Sequence, residues 1–318
     1  MTTRSCPQRL VLAGSILVDI LLYVDAFPER GGDVLARDRH LSSGGGFNVL
    51  SAATRAGLPG AYAGRIGDGV FGHQVVRDLE LAGITALLEP FSGHDTGFTV
   101  GIVEANGERS FLTVPGIESR LDASDLEQVA LSGADAIYVS GYDLAYPIAG
   151  PALSAWLRAL PAGNLLALDP GPLAAGMARG EIREILGRVD LLSLNAREAR
   201  LLSGCPEPDG GAVALAALLA HGGSAVVRAG PEGCWLARRG ATPEHVPGHQ
   251  ATVRDTTGAG DVHVGTMLAR LAAGDPPREA ARIANVAAAL SVERPGGATA
   301  PSAAELCEAI RMGTEAWL

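Results

Sequence analysis

Asp255-Thr256-Thr257-Gly258-Ala259-Gly260-Asp261 joins small residues with free backbone N–H groups to a carboxylate, and a run with helical periodicity follows directly. Val264, Met267, Leu268 and Leu271 keep the i, i+3, i+4, i+7 spacing of one helix face, and Gly274-Asp275-Pro276-Pro277 ends it. A helix start carries unpaired N–H groups and a partial positive charge, so this stretch can hold an anion such as phosphate. Gly258 and Gly260 let a charged group approach the backbone without meeting a Cβ. Asp261 would repel that phosphate unless its carboxylate had chemical work to do, and accepting the proton of an attacking hydroxyl is such work. Asp is also a preferred helix cap, so on this stretch alone cap and base both remain open.

Other positions carry weaker signals. Ser42-Ser43-Gly44-Gly45-Gly46-Phe47-Asn48 precedes a helical pattern through Val49, Ala52, Ala53 and Ala56, either a plain flexible turn or a second glycine-rich helix start with room for a ligand. Gly67-Asp68-Gly69-Val70-Phe71-Gly72 has the GxGxxG spacing of a dinucleotide site after a strand over 61–66. That strand is not the first of the fold, however, and only Glu89 stands where the ribose-binding acid is wanted. Asn195 and Glu198 lie three apart just after a strand, a spacing that suits the water shell of Mg²⁺ or a helix capping box. Gly230-Pro231-Glu232-Gly233 and Asp169-Pro170-Gly171-Pro172 are turns at the ends of strands. His263 reads as a packed side chain, because successive helix positions point about 100° apart and Asp261 is two residues away.

Composition narrows the chemistry. The net charge of −10 argues against nucleic acid as a partner. All 25 basic residues are Arg and none is Lys, which excludes a Walker A lysine, a protein-kinase strand lysine and Schiff-base chemistry. Backbone amides and Arg must then handle any phosphate, with Arg228 and Arg254 as candidates. The four cysteines, Cys6, Cys205, Cys234 and Cys307, form no CxxC pair and read as reduced thiols of a cytoplasmic protein. Arg4 and Arg9 before the apolar run Leu10–Val18 imitate a signal peptide, but Asp19 closes the run, which reads as a buried first strand. No stretch approaches the roughly 20 apolar residues of a membrane span, so no membrane partner is expected.

The elements that must position these groups alternate. An apolar strand over 10–16 ends at a Gly-Ser turn with Asp19 just beyond it, on the edge where open parallel sheets bind ligands. Strand-like pieces at 22–24 and 34–36, and a hairpin over 99–104 and 108–114 with its turn at Asn106-Gly107, read as a small sheet beside the core. Helices near 124–131, 149–159, 181–186, 212–220 and 278–292 alternate with strands at 136–140, 165–168, 191–194 and 225–228. This predicts an α/β, doubly wound, mostly parallel sheet with a small β-sheet lid.

The order of these pieces resembles the PfkB family of ribokinase-like carbohydrate and nucleoside kinases over essentially the whole chain, and within it bacterial sugar kinases of poorly defined substrate. The resemblance implies a single ribokinase-like domain over 1–318 with a lid from approximately 18–41 and 96–115. It also implies phosphate transfer from MgATP to a hydroxymethyl group. On this pattern Asp261 is the base, and the amides of Gly258, Ala259 and Gly260 form the anion hole. Asn195 and Glu198 position magnesium and phosphate, with Glu198 acting on Mg²⁺ through water. Arg228, Gly230, Gly233 and Asn285 line the nucleotide, while Asp19, Gly44, Gly45, Asn48 and Tyr142 meet the acceptor. Asp255 and Thr257 fall where some members hold a monovalent cation such as K⁺.

The helix start at Asp261 is expected to lower its pKa. Leu17, Gly45, Phe47 and His263 depart from the family pattern and leave the acceptor open between a sugar and a nucleoside, with Tyr23, Phe47, Phe98, Phe111 and Tyr142 as aromatic faces for a base. A dehydrogenase using 67–72 and a non-catalytic sugar- or nucleoside-binding module stand as alternatives. The edges of a small sheet suggest a homodimer through the lid.

Overall fold

The computed structural model describes residues 6–105, 108–172, 179–220 and 222–315. The chain opens with β1 (Arg9–Ala13), crosses to β2 (Ile16–Tyr23) and β3 (Asp38–Gly45), then returns through α1 (Gly46–Arg55) to β4 (Gly60–Ala63). Next come α2 (Val70–Ala82), β5 (Thr85–Ala86), β6 (Phe98–Val103), β7 (Arg109–Val114) and α3 (Ala123–Gln128). The central units are β8 (Asp135–Ser140), α4 (Gly141–Ala145), α5 (Ala149–Ala159), β9 (Leu165–Asp169), α6 (Arg179–Leu186), β10 (Leu191–Asn195), α7 (Ala196–Ser203) and α8 (Pro208–Ala216). The chain finishes with β11 (Ser224–Arg228), β12 (Gly233–Arg238), β13 (Glu244–Pro247), α9 (Ala259–Ala272), α10 (Pro277–Ser291) and α11 (Ala303–Glu315).

Two sheets result. Among the described residues the large one has nine strands in the order β13-β12-β11-β10-β9-β8-β1-β4-β5. Every pairing from β11 to β5 is parallel, and β12 and β13 add an antiparallel edge. Side chains alternate across β1: Leu10 and Leu12 join one core layer with Val49 and Leu50 of α1 and Val264 and Met267 of α9. Val11 and Ala13 join the other, with Leu153 and Leu157 of α5 and Leu215 of α8. The period-2 pleat thus feeds two helical layers, as a doubly wound sheet requires. The small sheet runs β3-β2-β6-β7, with β2 and β6 parallel and the outer pairs antiparallel.

Several boundaries differ from the sequence-based expectation. The apolar run from Leu10 is not one strand to Ile16. It breaks at Gly14-Ser15, where the buried Asp143 carboxylate fills the space a Cβ on Gly14 would need, and Ile16 already belongs to the small sheet. Residues 34–36 lie outside any strand, and the glycine run is the helix start that its pattern allowed and not a plain turn: Gly44 and Gly45 end β3, paired with β2 through Leu17↔Gly44 and Ile16↔Gly45, and Gly46 begins α1. The helix expected over 212–220 begins earlier, at Pro208, whose fixed φ suits a first helical turn. The Asn106-Gly107 turn lies outside the described residues.

What brings the two glycine-rich segments together is the crossing of α1 and α9. A Cβ on Gly265 would collide with the Val49 carbonyl and stand 2.9 Å from Ala52 Cβ, so the bare backbone of α9 seats directly on α1. Gly265→Val is expected to lose about 1–3 kcal/mol of stability in urea unfolding through overpacking. An unchanged midpoint would show that the helices have room to separate.

Candidate active site

α9 begins after Gly258, whose φ of 72° lies in the left-handed region and whose missing Cβ would collide with the Gly297 carbonyl. No side chain caps this helix start, and α1 likewise starts without a side-chain cap after Gly45, at φ 60°. The third residue of each helix faces the other: Asn48 Nδ2 donates to Asp261 Oδ2 at 3.0 Å, while Asn48 Oδ1 is buried with no partner. An open, positive helix start with a carboxylate fixed beside it has the chemistry to take an anion next to a proton acceptor.

The expected lowering of the Asp261 pKa is not found. Burial pushes the carboxyl up to about 6, with Asp169 adding to it, and the Asn48 hydrogen bond and Arg228 pull only partly back. Withdrawal from water outweighs the field of the helix start. Asp19 stands on the facing edge of β2, over the bare backbone of Gly44, where a Cβ would collide with its carboxylate. Burial and the charge of Asp261 push Asp19 up to about 7. The charge of Asp261 thus reaches Asp19 across the space between the small sheet and α9.

Arg228, at the end of β11, is the cation of the site. Its guanidinium meets Asp169 Oδ2 at 3.0 Å, donates to Ser193 Oγ at 2.9 Å and packs 3.3 Å from where a Cβ on Gly260 would sit. Burial would lower its pKa, but Asp169, Glu198 and Asp261 keep it charged. Asp169, expected only as a loop carboxylate, is thus part of the site; its signal in the sequence was its place at the end of β9. Arg254 is exposed and does not line the cleft.

Asn195 and Glu198 form the capping box that their spacing also allowed. Asn195 Oδ1 accepts the Glu198 N–H at 2.9 Å, and Glu198 Oε2 accepts the Asn195 N–H at 2.8 Å. The box fixes Glu198 in a buried position, and burial raises its pKa. A cleft of about 680 Å³ opens from Asn195 and Arg228 past Gly230 and Gly233 to the start of α9 and the wall of α10. The segment 248–251 and Val253, which nothing in the sequence singled out, closes its far side.

Asn285 lines this cleft, yet its amide is engaged elsewhere, with Nδ2 donating to the Val246 and Pro247 carbonyls and Oδ1 facing His263 Nε2 at 3.2 Å. His263 is buried, and burial lowers its pKa to about 3, so it is a neutral packed side chain as the sequence suggested. Tyr142 on α4 is half exposed, and its phenol is raised by burial and by Glu198 and Asp261. Phe47, expected as an acceptor-facing ring, is buried in the core, and Phe98 packs on Phe71 at 4.9 Å.

The GxGxxG segment is closed to a ligand by the protein itself. Asp95 accepts the N–H groups of Phe71 at 3.3 Å and Gly72 at 2.9 Å, and its carboxyl occupies the space beside Gly69. A dinucleotide phosphate would meet a carboxylate there. Asp255, upstream of α9, is buried and tied by the Thr257 and Gly296 N–H groups at 2.9 Å each, and by Arg109 Nη2 of β7 at 3.0 Å. Arg109 carried no signal in the sequence.

With this geometry in place, the comparisons with known proteins agree with the resemblance. The profile of the pfkB family carbohydrate kinases matches residues 7–304, and the chain belongs to that family. It is 29% identical over 316 residues to the uncharacterized sugar kinase YegV of Escherichia coli, covering 96% of this chain and 94% of the relative. The fold matches the adenosine kinase of Sinorhizobium meliloti with a TM-score of 0.82 at 24% identity, covering 96% of this chain and 99% of that one. It also matches the Arabidopsis thaliana ribokinase complexed with ribose and ATP, with a TM-score of 0.76 at 22% identity over 96% and 99% of the two chains. The large sheet with its small companion is the ribokinase-like α/β fold.

Raised carboxyl pKa values make ionisation costly to the folded state. The contribution of Asp261 and Asp19 to stability is fully present below the ordinary carboxylate pKa and is lost as the pH rises through about 6 and about 7, respectively. Asp261→Asn should therefore be more stable than the wild type by about 1–2 kcal/mol above about pH 7.5, with the gap closing near about pH 4. Urea unfolding at the two pH values checks this, and equal midpoints at both would contradict the raised pKa.

Proposed function

We propose that the protein transfers the γ-phosphate of MgATP to a hydroxymethyl group of a sugar. The observation that carries this reading is the uncapped start of α9 with Asp261 fixed by Asn48 beside it. The acceptor hydroxyl approaches Asp261 from the Asp19 and Gly44 side, and its oxygen forms a bond to the γ-phosphorus as the bond to the bridging oxygen of ADP breaks. Its proton passes to the Asp261 carboxylate. The amides of Gly258, Ala259 and Gly260 and the guanidinium of Arg228 face the charge on the transferring group. Asp19, Gly44, Gly45, Asn48 and Tyr142 hold the acceptor. The cleft past Asn195, Gly230 and Gly233 holds the nucleotide, with Asn285 as packed wall and not as a reader of the base.

The residues fit magnesium only together with the nucleotide. Among the described residues no group of three or more His, Cys, Asp or Glu could hold a metal, and one oxygen of Glu198 is taken by the cap. Mg²⁺ ordinarily keeps several waters and binds one or two carboxylates plus substrate phosphates, which suits a single buried carboxylate such as Glu198. When bound, the metal neutralises phosphate charge; Glu198 orients its waters, and Asn195 holds Glu198.

A nucleoside acceptor is the second reading, favoured by the half-exposed ring of Tyr142, whose phenol feels the charges of Glu198 and Asp261. The whole chain acts as one kinase domain, with the small sheet, from about 18–41 and 96–115, as its lid. Its edge strands β3 and β7 leave Leu41, Phe111, Leu112 and Val114 exposed, which supports a homodimer through the lid. The four unpaired cysteines support a cytoplasmic setting. Among the described residues no helix is long and apolar enough to cross a membrane.

Purified protein with MgATP should consume ATP with at least one member of a panel of sugars and nucleosides, and Asp261→Asn should lose about 10²-fold or more in kcat. An unchanged kcat in that variant would remove Asp261 from its role. Light scattering that reports a monomer would remove the dimer.

A further inference from the structure

Some members of the family hold a monovalent cation at the positions of Asp255 and Thr257; here Thr257 Oγ1 is buried without a hydrogen-bond partner, but the Asp255 carboxylate that would carry the ion is already occupied. Asp255 is 4% exposed and both its oxygens are engaged: Oδ1 by the Thr257 N–H at 2.9 Å and Arg109 Nη2 at 3.0 Å, Oδ2 by the Gly296 N–H at 2.9 Å. A metal ion that approached this carboxylate would meet a guanidinium already seated on it, and like charges at that distance repel strongly where water is scarce.

Arg109 comes from the first position of β7, in the small sheet. Its row in the sheet runs Asp38, Tyr23, Val103, Arg109, at the end remote from the crossing at Gly14-Ser15. Arg109 Nε and the Tyr23 hydroxyl are buried there without hydrogen-bond partners. His40 of β3 reaches the same region, its ring 3.0 Å from where a Cβ on Gly296 would lie. The small sheet therefore touches the main body on both flanks of the Asp255 carboxylate. Asp255 in turn opens the seven-residue segment that ends in Asp261 and turns through Gly258.

We propose that Arg109 is a built-in substitute for the monovalent cation: its guanidinium neutralises Asp255, holds the 255–261 turn in its anion-binding shape only when the small sheet is closed, and makes phosphate transfer independent of K⁺. Arg109 is a positioning residue, acting on the amides of Gly258 and Gly260 through Asp255. The inference rests on the kinase reading above. It ties closure over the acceptor to completion of the phosphate site, so that a turn lacking an external ion is formed by the lid itself.

The test measures kcat and kcat/KM with the panel's best acceptor in KCl and in choline chloride at matched ionic strength. Wild-type protein should turn over equally in both. Arg109→Ala should lose about tenfold or more in choline, as expected when one partner of a buried ion pair is removed, and recover in part in KCl; Arg109→Lys should keep most of the rate. A readout without turnover accompanies it. Thermal unfolding of Arg109→Ala should shift upward in KCl relative to choline chloride, and that of the wild type should not.

Several-fold activation of the wild type by K⁺ would overturn the inference, as would an Arg109→Ala variant fully active in choline or one that K⁺ neither activates nor stabilises. Absence of any phosphate transfer by the wild type in either salt would instead overturn the kinase reading.

Discussion

Everything in the site depends on one arrangement, a carboxylate held out of water beside an uncapped helix start. The start of α9 offers positive potential and open amides, which a phosphate wants, and Asp261 offers a negative charge, which a phosphate does not. The conflict is resolved by burial and by neighbours. Asn48 donates to one oxygen of Asp261, Arg228 packs against Gly260, and the carboxyl is pushed up to about 6. A carboxylate with a raised pKa is a better proton acceptor than an ordinary one at neutral pH, and it is still mostly ionised there. The cost falls on stability, as is common where a site needs a group in an uncomfortable place.

The fold serves that arrangement through glycine at a few positions. Gly265 lets α9 seat on α1, which brings Asn48 to Asp261; Gly258 turns the chain where any Cβ would strike Gly297; Gly44 leaves the space that Asp19 fills. Between them the two helix starts and the edge of β2 form three sides of one space. The small sheet is fastened at both ends. Near the crossing, Glu118 accepts the Gly97 and Gly116 N–H groups at 2.8 and 2.7 Å, and at the far end Arg109 meets Asp255.

Much of this was legible in the sequence. The alternation of apolar strands and helical runs, the two glycine-rich starts and the order of the short motifs led to the doubly wound sheet and to the family. Local contests were not legible. The run from Leu10 to Ile16 divides between two sheets at Gly14-Ser15, where Asp143, more than a hundred residues away, fills the room beside Gly14. The GxGxxG helix start reads as open, yet Asp95 fills it. The Asp261 pKa moved opposite to expectation because burial, a property of the assembled fold, outweighed the local helix field. Arg109 could not be found at all, since an Arg after a hairpin turn is an ordinary surface residue until the sheet folds it onto Asp255.

The most direct measurement of the central arrangement is a carboxyl ¹³C NMR titration of Asp261 in the wild type and in Asn48→Ala. The account predicts an Asp261 midpoint near 6 in the wild type, and a higher one in the variant, where the hydrogen bond that favours the ionised form is gone. A wild-type midpoint at or below about 4, the range of a free aspartate, would contradict it.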